Sequence, residues 1–269
     1  MSNTFHLQRF FSLITRQWIG FGKIYLMALT IAAGVIAAFY GYALYEFHEG
    51  ISFSNVAYRD VLDFRVPLFP ILGIFFVTII SGTYFSDYGQ KAKAIFEVLI
   101  PASRLEKFLT AVFYTIIVSM VSYMIVYLLI DFCAVSYMRR QLISMAYQED
   151  GNTLLMDRFA YLTQYAIPQR MMYFYFLPFL FNAIFLFGSI AFRNFQYIKT
   201  AVSMIIYIAV WSFATIYLVK LLTRDSVWVQ QHTFWQEENH VYQLICAIGF
   251  LLTGVFWGLG YLRLKEKEV

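Results

Sequence analysis

Apolar residues gather along this chain into six runs of about 20 residues, at 24–45, 66–84, 109–130, 171–192, 201–221 and 241–261, divided by shorter polar or mixed stretches. A helix of that length covers about 30 Å at 1.5 Å per residue, the thickness of bilayer hydrocarbon. Strands in lipid must close into a barrel and show alternating polar and apolar positions, and these runs do not alternate. The pattern predicts an all-α polytopic membrane protein, six transmembrane helices in a single transmembrane domain over 1–269.

Within that frame finer patterns predict local features. Over 3–18, Leu7, Phe10, Phe11, Ile14 and Trp18 recur at helical spacing, with Arg9, Ser12 and Arg16 opposite. A basic face and an aromatic face suit an interfacial helix lying in the headgroup layer, and the alternative is an amphipathic extension of the first span. Ala33, Ala37 and Gly41 in the first span, and Gly254 and Gly258 in the sixth, stand at four-residue steps that let helix backbones approach closely. Pro70 and Pro178 fall inside the second and fourth runs, where each removes a backbone hydrogen bond and bends its helix. The fourth run is dense in aromatics from Tyr173 to Phe187, as an interfacial belt or a lipid-facing surface would be.

Composition agrees with the pattern: 61% of residues are hydrophobic and 13% charged, against roughly a quarter charged in soluble domains. Of the 20 Lys and Arg, twelve fall on the side of the N-terminus and eight on the other. That bias predicts that both termini are cytoplasmic. The net charge of +4 needs no nucleic acid to explain it. No cleavable signal is expected before the first span. Cys133 and Cys246 could pair if the third and sixth spans touch, and otherwise serve as small packing residues.

Candidate chemistry is sparse. Asp131 ends the third run at the outer surface, where it can reach water, and Asn182, Ser203, Ser212 and Thr215 are the polar groups within spans. No run holds a charged residue near its middle, which counts against ion coupling. His6, His48, His232 and His240 are scattered outside the runs, so no metal site is expected. Gly22-Lys23 has Gln17 where a phosphate-binding loop needs glycine, so the chain does not hydrolyse ATP by that loop. The expectation is no catalytic residue, metal or cofactor in this chain.

The segment 88–107 is too charged for lipid and too apolar for a solvated loop. Ile95, Phe96, Leu99 and Ile100 form an apolar cluster, and Pro101 ends it. Ser103 and Glu106 have the capping-box spacing that starts a new helix. Phe96 and Leu99, flanked by Lys91, Lys93 and Glu97, suit a groove on a soluble partner.

The amphipathic start, the Ser81-Gly-Thr-Tyr-Phe exit from the second span, the run Phe96-Glu-Val-Leu-Ile-Pro-Ala-Ser-Arg-Leu-Glu-Lys-Phe-Leu and the Lys-rich ending together resemble a family. It is the small six-helix permease subunit of type 2 ABC exporters, a kind common in Bacteroidota, and the specific motif covers about 82–109. The resemblance implies that 88–107 holds a cytoplasmic coupling helix docking on a separate ATPase subunit, which binds ATP and Mg. By the same analogy the docking residues are Lys91, Lys93, Ile95, Phe96, Glu97 and Leu99, with Phe96 and Glu97 foremost. It further implies a homodimer or heterodimer of permeases with an export path between them. Ser226–Trp235 would be a short re-entrant stretch, although Glu237 and Glu238 limit its depth. Two other readings stay open: an ion-coupled secondary transporter, and an assembly or sensor subunit without a transport path.

Overall fold

The computed structural model describes residues 6–52, 61–86, 99–100, 102–146, 160–164, 172–223 and 238–267, and among them there is helix and turn but no strand. The helices are α1 (Leu7–Ser52), α2 (Arg65–Tyr84), α3 (Arg104–Val112), α4 (Ser119–Ala146), α5 (Leu177–Ala191), α6 (Gln196–Thr223) and α7 (Glu238–Lys267). A π-helical segment, Phe113–Val118, joins α3 directly to α4. Among the described residues five helices, α3 and α4 counted as one, are long and apolar enough to cross a membrane. The stretch 226–235 lies outside the described residues.

Two expected elements take a different form. The interfacial stretch does not end before the first span; α1 is a single helix of 46 residues. Nothing in it stops the hydrogen-bond ladder, because it contains no proline and Gly20 and Gly22 each weaken a helix by only about 1 kcal/mol. The fourth span is shorter than its apolar run, because α5 has 15 residues and Pro178 stands in its first turn instead of inside it. There the missing N–H costs nothing, since first-turn donors have no helical acceptor. The residues before it close by turns, with the Tyr175 N–H donating to the Met172 carbonyl at 3.3 Å and the Leu177 N–H to the Phe174 carbonyl at 3.0 Å.

The chain packs as two units, one of Met1–Ile19, Val77–Ile116 and Pro168–Val269, the other of Gly20–Phe76 and Ile117–Ile167. In the first, α5 packs on α7 and α6. Gly249 lies under the Phe176 ring, where an added Cβ would come within 2.2 Å, and Gly188 lies under Thr200, where it would come within 1.9 Å. A bend from α5 to α6 turns at Phe195, whose φ of 52° is left-handed. Phe108 of α3 meets Tyr261 of α7 edge to face, centroids 5.9 Å apart.

The second unit is held by aromatics from α1, α2 and α4. Phe76, Tyr123, Tyr127 and Tyr40 form successive ring contacts of 5.9–6.1 Å. Gly73 makes room for Tyr123, whose ring would lie 2.9 Å from an added Cβ. In a dry interior each phenol needs an acceptor. The Tyr123 hydroxyl donates to the Phe69 carbonyl at 2.8 Å, next to Pro70, and the Tyr25 hydroxyl donates to the Val118 carbonyl at 3.1 Å, at the end of the π segment. A smaller apolar cluster of Ala43, Phe47, Leu62, Val135 and Met138 closes one end.

The small-residue stripes do not mark the close contacts. A Cβ added at Gly41, Gly254 or Gly258 meets nothing within 4 Å, Ala37 is exposed and Ala33 half-buried. The buried face of α1 runs instead through Ala32, Ile36, Tyr40, Ala43 and Phe47. That is one residue, about 100°, around the helix from the expected stripe. On that face Ile36, Tyr40 and Phe47 supply packing surface that Ala33, Ala37 and Gly41 lack.

Candidate functional site

Three polar clusters are built into the helices, two in the first unit and one in the second. The first is at the start of α3. Ser103 has extended backbone (φ −69°, ψ 150°), accepts the Glu106 N–H at its hydroxyl at 3.2 Å, and donates its own N–H to Glu106 Oε2 at 2.8 Å. Both halves of a capping box are therefore present. The other carboxylate oxygen, Oε1, accepts the His6 N–H at 2.8 Å, just before α1 begins. Glu106 is fully buried, 0% exposed. One carboxylate thus closes the amino ends of two helices, where the positive end of each helix dipole favours its charge. The Tyr114 hydroxyl adds a second tie by donating to the Ile14 carbonyl at 2.6 Å, and its ring stacks on Trp18.

Of the expected docking residues, Leu99 is 67% exposed at a turn before the cap. Lys91, Lys93, Ile95, Phe96 and Glu97 lie outside the described residues.

The second cluster overturns the expectation that Asp131 reaches water. Asp131 is 2% exposed and forms an ion pair with Arg65, Nη1 to Oδ1 at 3.0 Å. Tyr40 donates to the same oxygen at 2.6 Å, and the Leu162 N–H donates to Oδ2 at 2.9 Å. Arg65 also donates to the carbonyls of Leu62 and Ala160, each at 3.0 Å. The physical reason for the burial is the short 3₁₀ turn Leu162–Gln164 and the residues before it, whose backbone supplies both a donor and an acceptor to the pair. Beside it Tyr161 shares a hydrogen bond with Ser136 at 3.2 Å and lies 5.2 Å under the Arg139 guanidinium. The Ser136 contact, and then Arg139, hold the Tyr161 phenol below its ordinary value. Neither Arg65 nor Asp131 announces the pair in sequence; each is a charge at the end of an apolar run, 66 positions from the other.

The third cluster is centred on Asn182, fully buried in α5. Its amide donates to the Ser81 hydroxyl at 2.6 Å and its carbonyl accepts the Trp257 indole N–H at 3.3 Å. Ser81 in turn donates to the Val77 carbonyl of its own helix. This network ties α2, α5 and α7 together in a buried apolar setting, where an unpaired amide would cost several kcal/mol. Thr215 bonds its own helix, donating to the Trp211 carbonyl at 2.8 Å.

Cys133 and Cys246 are free thiols. Among the described residues no three His, Cys, Asp or Glu side chains converge as a metal site would require. The arrangement defines an all-helical protein with several helices able to cross a membrane. Comparison with protein-family models, with curated proteins and with solved structures finds no match.

Proposed function

We propose that the chain is the membrane-spanning permease subunit of an ATP-driven exporter, coupled to a separate ATPase subunit through residues 88–107. The observation that carries this reading is the Glu106 joint. A rigid-body push on the segment before Ser103 reaches the cap, and from the Glu106 carboxylate passes to the starts of both α1 and α3. Coupling through helix shifts needs such a stiff connection, since a loose one would dissipate the motion. Phe96 and Glu97 are the leading docking residues, with Lys91, Lys93, Ile95 and Leu99 beside them. ATP and Mg belong to the partner. In this reading α5, with the turns before it, completes a sixth crossing in the bacterial inner membrane and leaves both termini cytoplasmic.

The test is recovery of the tagged chain from native membranes in mild detergent, with mass spectrometry of what stays bound. An ATPase subunit in equal amount, lost in the Phe96→Asp/Glu97→Lys double variant, is the expected result. Recovery without an ATPase, or retention of the ATPase by the double variant, overturns the reading.

The buried Asp131 carboxylate is the observation that favours the second reading, an ion-coupled transporter. Against it, Arg65 neutralises the charge and three donors occupy the oxygens. Transport driven by an imposed ion gradient, in the absence of ATP, would select this alternative.

A further inference from the structure

Helix α7 ends in a buried charge without a partner. Gly260, Leu264 and Lys267 follow one another at steps of four and three, so they share one face of the helix. At Gly260 that face lies against Phe187 and Ile190 of α5, and Leu264 is fully buried. Lys267 continues the face, and its ammonium nitrogen is buried with no hydrogen-bond partner. The carboxyl end of a helix favours positive charge through its dipole, yet no carbonyl there accepts a bond from this ammonium.

The charged groups around it do not supply the missing acceptor. Those whose fields reach the ammonium are Arg263, one turn back on α7, and Arg193, in the bend between α5 and α6, and both are positive. Glu266 pairs with Arg263. An ammonium withdrawn from water beside two like charges is unfavourable until an anion joins them. Depth narrows the choice of anion. The apolar run of α7 ends at residue 261, so residues 263–267 stand about 3–9 Å beyond it at 1.5 Å per residue. The headgroup layer is roughly 5–7 Å deep on each side of the hydrocarbon. Its phosphates accept strong bonds from ammonium and guanidinium groups. Phe195, two residues past Arg193, is 76% exposed, an apolar side chain that suits acyl chains better than a free ion.

We propose that Lys267, Arg193 and Arg263 hold a phosphate group, brought to them by the headgroup of an anionic phospholipid. The two guanidiniums are exposed and meet the phosphate first; rotation about the flexible Lys267 stem then brings its ammonium to a remaining oxygen. An occupied site joins the end of α7 to the bend between α5 and α6 within the first unit. The inference rests on the membrane placement of α7 and stands apart from the exporter reading.

The experiment compares the full chain in nanodiscs of phosphatidylcholine alone and with added phosphatidylglycerol, reading the unfolding midpoint and, by native mass spectrometry, the lipid retained. Phosphatidylglycerol is expected to raise the midpoint by several degrees and to be retained several-fold more than phosphatidylcholine. Lys267→Gln and Arg193→Gln should each remove most of that gain, Lys267→Arg should keep it, and Lys220→Gln, at the other end of α6, should leave it unchanged. In phosphatidylcholine alone Lys267→Gln should be at least as stable as the unaltered chain, because no partner is lost; a lysine that merely braces the fold would behave oppositely. Inorganic phosphate that raises the midpoint through Lys267 in phosphatidylcholine would support the phosphate site with a free ion as its occupant. Equal midpoints in the two lipids without such a phosphate effect, or a phosphatidylglycerol gain untouched by Lys267→Gln, would overturn the proposal. So would a loss in phosphatidylcholine alone shared by Lys267→Gln and Glu268→Gln, which would make that carboxylate the partner.

Discussion

Arg65 and Asp131 show how a single pair of side chains decides local order. Removing two charges from water is expensive, and the pair persists because Tyr40, Leu162 and two backbone carbonyls complete its hydrogen bonds. Asp131→Asn leaves the guanidinium buried without its counter-charge, so a loss of about 3–5 kcal/mol is expected. Thermal unfolding in nanodiscs measures it, and an unchanged midpoint would contradict the burial. Joint replacement, Arg65→Leu with Asp131→Leu, should cost less than the two single changes added together, since it leaves no charge stranded. The sequence displays these two residues plainly but not their meeting. A terminal charge on an apolar run looks solvated until a distant turn covers it, and the turn at 160–164 carries no signal of its destination. Asn182 was easier to single out, as an amide in a long apolar run, yet its partners Ser81 and Trp257 were invisible for the same reason.

Local spacing speaks most clearly for single helices and their ends. Ser103 and Glu106 sit within one helical turn, so their reciprocal bonds need no tertiary information. Ser103→Ala should cost about 1 kcal/mol, read as a lowered unfolding midpoint. Apolar length likewise locates the helices, but not where they break. Continuity of α1 past Gly20 and the start of α5 at Leu177 depend on what stops or satisfies backbone groups, which a hydropathy run does not contain. Glycine spacing misled in a similar way: the close approaches occur at Gly188 and Gly249, where a facing side chain needs the room. Gly188→Ala would press on Thr200 and is expected to destabilise by about 1–3 kcal/mol, whereas Gly254→Ala, which faces open space, should be neutral or slightly stabilising. Comparing the two midpoints checks both. Phe195 holds a left-handed φ of 52° while its side chain is exposed, so Phe195→Gly should raise stability by about 1 kcal/mol.

For the whole molecule the open number is crossings. Five long helices put the two ends of a chain on opposite sides, and a sixth crossing through α5 returns them to the same side. In the exporter reading the 15 residues of α5 cover about 22 Å, and the turns closed by the Tyr175 and Leu177 N–H groups would carry the chain through the rest. Proteolysis of tags at each terminus, in sealed inverted vesicles and in intact cells, is expected to cut both only from the cytoplasmic side. Cleavage of the C-terminal tag from outside would limit the bundle to five crossings and remove the topology on which the exporter reading depends.

The Glu106 joint also sets an order of assembly. The His6 N–H and the carboxylate that receives it lie 100 positions apart. At a synthesis rate of about 5–20 residues per second, the amino end of α1 leaves the ribosome some 5–20 s before its cap exists. Until α3 is made, that end lacks the acceptor that Glu106 supplies. Nascent chains halted before Glu106 should therefore expose their first residues to added protease, and chains released after it should not, so the finish of the first helix is scheduled by the arrival of the third.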